Sequence, residues 1–143
     1  RLHQTPMRGL LEERWDAIIL HQYNVQDHPI EPIFNDFLKL IIEKLGYCPK
    51  IYVNATWAYC QEYLEEYTSY STEEEMWEDM LNKWKDACED SGVAEFSIIP
   101  TGTAIQNART LSWADDYGRF CNADPDMHHL NPAGGFIAAC TIF

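Results

Sequence analysis

The densest grouping of reactive side chains in the sequence is Asp124, Asp126, His128 and His129, set just ahead of Asn131 and Pro132. A carboxylate three residues before an imidazole on a turn accepts the proton of one ring nitrogen and aims the other outward as a general base. Asp126 and His129 have that spacing. The same pattern also fits a plainer arrangement, in which Asp126 caps the turn and His129 is a surface imidazole. A third arrangement makes Asp124, Asp126, His128 and His129 metal ligands. It is disfavoured, because neighbouring histidines ordinarily point apart and no His-x-x-x-His pair supports it.

These residues need elements to hold them. Asn131 as a cap, Pro132 in the first turn and Leu130 against a later apolar residue start a final helix directly behind the Asp-His segment. Three upstream runs read as strands: Trp15 to Leu20, Lys50 to Ala55 and Glu95 to Ile99. Ala17 to Leu20 is apolar on both faces, as expected of an interior strand between helical layers. Phe34, Phe37, Leu38, Ile41, Ile42 and Leu45 form one helix face, with Pro32 in its first turn and Gly46 closing it. A long acidic helix follows, with Ser71 and Glu74 or Thr72 and Glu75 as its capping box. Met76, Trp77, Met80, Leu81, Trp84 and Cys88 line its core face, while Glu78, Asp79, Lys83, Lys85 and Asp86 face water. Gly92 ends it, and a short helix spans Thr103 to Arg109 after the third strand.

Alternating strands and helices predict an α/β fold with a parallel sheet between helical layers, in a single domain over 1–143. Ligands of such sheets gather beyond the carboxyl ends of the strands. Those ends carry His21, Gln22, Tyr23 and Asn24, then Thr56, Trp57 and Tyr59, then Thr101 and Thr103. Trp57 and Tyr59 suit either stacking on a sugar ring or burial beside the helix of Phe34 and Phe37. His21 reads as a hydrogen-bonded scaffold residue. Arg109 is expected to hold an acidic loop such as Asp115 and Asp116, in preference to binding substrate.

Charge narrows the partners. With 23 acidic residues against 10 Lys and Arg, the net charge is -13, and without a basic cluster neither nucleic acid nor an anionic membrane surface is expected to bind. Hydrophobic residues at 46% and aromatics at 13% exceed what a disordered acidic tail would carry, so the acidity belongs on the outside of a packed core. No apolar run has the length of a membrane span, and the chain reads as soluble. The cysteines (Cys48, Cys60, Cys88, Cys121, Cys140) lack a Cys-x-x-Cys pair and read as buried free thiols.

The segment from Asp126 through His128, His129, Asn131 and Pro132 to Phe136 resembles the last conserved block of the SGNH (GDSL-type) hydrolase superfamily, where Asp-x-x-His supplies two members of a triad. Trp15 to Asn24 is similar to the strand leading into that superfamily's oxyanion asparagine, with Gln22, Tyr23 and Asn24 in place of Gly-x-Asn. Thr56 to Tyr59 and Pro100 to Arg109 look like a bacterial SGNH-like family of unknown function. The resemblance spans residues 15–142. It implies a flavodoxin-like three-layer sandwich and a serine ester hydrolase acting on acyl groups of a carbohydrate or other small ester. Asp126 would orient His129, His129 would be the base, and Asn24 would donate to the oxyanion. Gln22, Trp57 and Tyr59 would contact substrate. No cofactor or metal is implied. Relatives of this kind are often exported to the periplasm or beyond.

The nucleophile is the departure. The superfamily places its serine in a Gly-Asp-Ser turn after the first strand, and this sequence has no such turn. Ser69, Ser71, Ser91, Ser97 and Ser112 all sit away from a strand-to-helix elbow. The family order makes Trp15 to Leu20 the third strand of five, so two strands and the serine are expected upstream of residue 1. An interior strand left at a sheet edge points the same way, to an upstream segment or a partner chain that covers it. The remaining readings are a non-catalytic carbohydrate-binding or interaction domain on this scaffold, and a metal-dependent hydrolase.

Overall fold

The computed structural model of the chain describes residues 9, 12–21, 30–93, 96–123 and 126–143. Three short strands, β1 (Ala17–His21), β2 (Lys50–Asn54) and β3 (Phe96–Ile99), form a parallel sheet in sequence order. Glu95, expected to open the third strand, lies outside the described residues. Ile18 lies opposite Ile51 and Ile51 opposite Phe96, while Leu20, Val53 and Ile98 align in the same way one pleat further on. These residues share one face, because side chains alternate along a strand.

That face carries the main core. Helices α1 (Ile30–Leu45) and α3 (Glu73–Asp90) pack against each other across it. Phe34, Leu38 and Ile41 of α1 meet Trp84, Ala87 and Cys88 of α3 over Leu20, Ile51 and Val53. Gly46 closes α1 with a left-handed φ of 73°, where a β-carbon would be strained. At the start of α3 the cap is Thr72, so of the two expected capping boxes Thr72 with Glu75 forms and Ser71 with Glu74 does not. Thr72 Oγ1 accepts from the Glu75 amide at 3.1 Å, while the Glu75 carboxylate reaches back to the Ser71 amide at 2.8 Å.

Among the described residues the opposite face is covered only at its carboxyl end. There α4 (Thr101–Arg109) and α5 (Pro132–Ile142) pack together, and Thr101 Oγ1 meets Thr141 Oγ1 at 3.1 Å. Asn54 and Ile99 are buried beneath them, whereas Ile19 is 55% exposed and Ser97 is open to solvent. β1 thus lies at the sheet edge despite the composition of an interior strand, as the count of three strands implies. Of its five residues only Leu20 is buried, because among the described residues nothing pairs with its outer edge or packs over Ile19. Helix α5 is apolar on all sides, and Phe136 on its outer side is 71% exposed.

Two elements went unmarked in the sequence reading. A two-turn helix α2 (Gln61–Tyr67) follows β2, and tight helical turns over Asp115–Phe120 precede the Asp-His segment. Gly118, Arg119 and Phe120 have φ of 54°, 48° and 71°, a left-handed run that persists only where the surroundings hold it. Asn131 does that holding. Its Nδ2 donates to the Tyr117 and Cys121 carbonyls at 2.7 and 2.9 Å, and its amide donates to Phe120 O at 3.1 Å. Among the described residues no helix is long and apolar enough to cross a membrane.

Candidate functional site

The strands end at His21, Asn54 and Ile99, and the segments after β2 and β3 turn across that end of the sheet. Gly102 makes the crossing possible. Its amide donates to Ala55 O at 2.9 Å, and a β-carbon there would lie 2.0 Å from the Thr56 carbonyl oxygen. Asn54, at the end of the central strand, bridges its neighbours: its Nδ2 lies 3.0 Å from His21 Nδ1, and its Oδ1 accepts from Thr101 Oγ1 at 2.6 Å. His21 thus has the scaffold partner expected of it.

The Asp-His loop closes over this rim and is fixed from several sides. Cys121 pairs with Leu130 in an antiparallel bridge, the Asn122 amide donates to His129 O at 2.9 Å, and the His129 amide donates to Asp126 O at 3.2 Å. Trp57 Nε1 donates to His128 O at 3.0 Å, and the Cys60 amide donates to Met127 O at 3.3 Å. A disulfide joins Cys60 to Cys121. This corrects the reading of all five cysteines as buried thiols: Cys48 and Cys140 are free but exposed, and of the unbonded three only Cys88 is buried. The pairing depends on the long-range meeting of the β2 loop with the Asp-His loop, which local spacing does not encode.

Within the loop, His129 Nδ1 stands 2.5 Å from Asp126 Oδ1, while Asn122 Nδ2 donates to Asp126 Oδ2 at 2.9 Å. A carboxylate only accepts, so Nδ1 carries the proton and Nε2 is left unprotonated on the neutral ring. The hydrogen bonds from His129 and then Asn122 hold the Asp126 carboxyl below its ordinary pKa. Asp126 stays ionised and His129 stays in one tautomer. Asn122 was missed from sequence, where an asparagine four residues before an aspartate carries no signal.

His128 departs from the expectation that adjacent histidines diverge. Its ring centroid lies 4.1 Å from that of His129, and its Nε2 is 3.7 Å from Asp126 Oδ1. The tight turn over Asp126 to His129, pinned by Trp57, folds both rings to one side. Tyr63 packs on His128 at 5.0 Å and Tyr59 meets it edge-on at 5.9 Å.

His21, Thr56, Trp57, Tyr59, Met80, His128 and His129 line a cleft of about 110 Å³, well under the ~300–1,000 Å³ of pockets that engulf drug-sized ligands. No serine is among them. Trp57 is half-buried and packs with the cluster of Ile105, Ala108 and Phe120, not beside Phe34 and Phe37 as expected for burial. Tyr59 is 6% exposed and packed with Leu64, Met76 and Met80, so its ring offers no open face to a sugar. Asn24 and Gln22 lie outside the described residues, as do Tyr23 and Asp124.

Arg109 corrects another expectation. It is buried rather than holding Asp115: Nη2 donates to Ala58 O at 3.0 Å and to Cys121 Sγ at 3.2 Å, and Nε donates to Arg119 O at 3.2 Å. Arg109 thereby ties the Trp57 loop to the Asp-His loop. Its charge is balanced by Glu73, buried at the start of α3 with an oxygen 3.9 Å away, and Asp115 pairs with Arg119 instead. Arg119 Nη2 reaches the same Glu73 oxygen at 2.6 Å.

No curated protein matches the chain. A solved structure described as a DUF4886 family protein from Bacteroides uniformis ATCC 8492 is similar, at 28% identity and a TM-score of 0.72. The match covers 96% of this chain and 52% of that one, so the chain spans about half the length of this solved relative. The sequence also matches, over residues 8–143, the family described as Domain of unknown function (DUF4886), and the chain belongs to that family.

Proposed function

We infer that this chain carries the acid and base of an SGNH-type serine ester hydrolase, with the nucleophilic serine supplied from outside these 143 residues. One observation carries the reading: Asp126, held by Asn122, fixes the His129 tautomer at 2.5 Å beside a cleft at the carboxyl end of a parallel sheet. That is the orienting half of a triad.

In the reaction the serine Oγ attacks the ester carbonyl and its proton passes to His129 Nε2. The imidazolium, balanced by Asp126, returns that proton to the departing alcohol. Water then repeats the sequence on the acyl-enzyme and frees the acid. Asn24 would donate to the oxyanion, together with backbone amides. The cleft is sized for a small acyl group, which favours a short ester on a carbohydrate or similar alcohol. With Tyr59 buried, Trp57 is the more accessible ring for such an alcohol. The disulfide suits an oxidising compartment outside the cytoplasm.

Among the described residues the outer edge of β1 is unpaired and Ile19 is exposed, which supports further polypeptide packing there, where an added strand would bring its own loop to the same rim. The test is fluorophosphonate labelling of the full-length polypeptide, read by intact mass and peptide mapping. A single adduct on a serine outside these residues is expected. Absence of any adduct on folded protein would overturn the reading.

A further inference from the structure

We propose that Asp126, His128 and His129 form a transition-metal site, suited to Zn²⁺, that shares its ligands with the Asp-His pair, so that metal occupancy and base function exclude each other. One ligand atom from each residue lies within 4.8 Å of the other two. The atoms that face one another are Asp126 Oδ1, His129 Nδ1 and His128 Nε2, with the last 3.7 Å from Asp126 Oδ1. Zinc bonds of ~2.0–2.1 Å in a tetrahedron place ligand atoms about 3.3 Å apart. His128 is close to that spacing already. The Asp126 to His129 contact, at 2.5 Å, must open by about 0.8 Å to admit the ion.

Two features go beyond the presence of ligand types. The His128 and His129 rings converge, against the usual divergence of neighbours, on a turn whose backbone is held by Trp57 and its own hydrogen bonds, with Tyr63 against the His128 ring and Asp126 on His129. Asn122 occupies Asp126 Oδ2, which leaves Oδ1 as the ligating oxygen and holds the carboxylate in place, as outer partners of metal ligands do. Asp126 and His129 are 45% and 59% exposed, so a water completes the coordination and the ion enters from solvent. His128 Nδ1 is buried without a hydrogen-bond partner among the described residues. A metal-bound imidazole ordinarily donates from its other nitrogen, so the site is weaker than a structural zinc site and releases its ion reversibly.

The exclusion follows from proton counting. Zinc on His129 Nδ1 displaces the proton shared with Asp126. The neutral ring keeps one proton, which moves to Nε2, and Nε2 can then accept no other. This consequence rests on the hydrolase reading; the binding itself does not.

Binding is therefore measured without reference to turnover. The probe is ZnCl₂ in isothermal titration of the untagged full-length protein carrying Cys48→Ser and Cys140→Ser, which removes the exposed thiols as competing ligands. One ion per chain is expected, with affinity falling at least tenfold in His128→Ala and in His129→Ala, and less in Asn122→Ala. Melting curves without metal establish that the variants fold. Should a variant fail to fold, ring-proton shifts of His128 and His129 on adding Zn²⁺ to the parent protein replace it. No binding, binding that survives both histidine variants, or ring resonances that do not move with Zn²⁺ would each overturn the proposal.

Discussion

Cys60 and Cys121 are joined across 61 residues of sequence, and the amide of Cys60 also holds the carbonyl of Met127 at 3.3 Å. The bond fastens the loop after β2 to the loop that carries Asp126 and His129. Closing so long a loop removes much of the freedom of the unfolded chain, on the order of 4 kcal/mol in the chain-entropy view. Replacing both cysteines by alanine should lower unfolding free energy by about 2–4 kcal/mol in denaturant titration. Non-reducing intact mass should show the native protein lighter than the reduced one by two hydrogens.

The three remaining thiols differ in reactivity. Burial, and then the charge of Glu89, pushes the Cys88 thiol from 9.0 up to about 11. An aromatic disulfide reagent at mildly alkaline pH should label Cys48 and Cys140 quickly and Cys88 only on unfolding. Folded protein keeps a proton on Cys88 that unfolded protein releases, so this group's contribution to stability declines as pH rises from about 9 towards about 11.

Glu73 is buried with Arg109 beside it and Arg119 upon it. Removing the carboxylate leaves the Arg109 guanidinium uncompensated in the interior. Glu73→Ala should destabilise the protein by about 3 kcal/mol or more, while Glu73→Gln, which keeps an acceptor, should cost less. Chemical denaturation of the two variants side by side distinguishes them.

Gly102 has no room for a side chain. A methyl group there would press into the Thr56 carbonyl, which belongs to the backbone and cannot swing aside. Gly102→Ala should destabilise by about 3 kcal/mol, and it should displace Thr56 and Trp57 from the rim. Loss of the Trp57 to His128 hydrogen bond, visible as a shift of the Trp57 indole proton, reports the displacement.

Much of the fold was legible because its signals are local. The face of Phe34, Leu38 and Ile41, the cap at Thr72 and the Asn131-Pro132 start are each contained within about two turns of helix. The site was legible only in part. Asp126 and His129 are three residues apart and share one turn, so spacing alone brought them together. Asn54 and the disulfide act across the fold, and nothing in their neighbouring residues announces it, while Asn122, only four residues from Asp126, belongs to no motif that marks it. Arg109 was expected to meet Asp115 because the two are close in sequence, but its side chain turns inward to the Ala58 carbonyl and Glu73, which lie far away in the chain. The run Ala17 to Leu20 has the composition of an interior strand, yet its edge is open among the described residues. Composition reports what a strand is suited to lie against, not what is present.

The central claim is that His129, oriented by Asp126, is the base. Its most direct test is turnover of a short chromogenic acyl ester by the full-length polypeptide, comparing the parent protein with His129→Ala, Asp126→Asn and His128→Ala, each shown to be folded by its melting curve and assayed with chelator present. The account predicts a loss of about ten-thousandfold for His129→Ala and for Asp126→Asn. His128→Ala, which leaves the Asp126 to His129 contact intact, should retain most of the activity. Equal losses at His128 and His129, or turnover that survives His129→Ala, would contradict it.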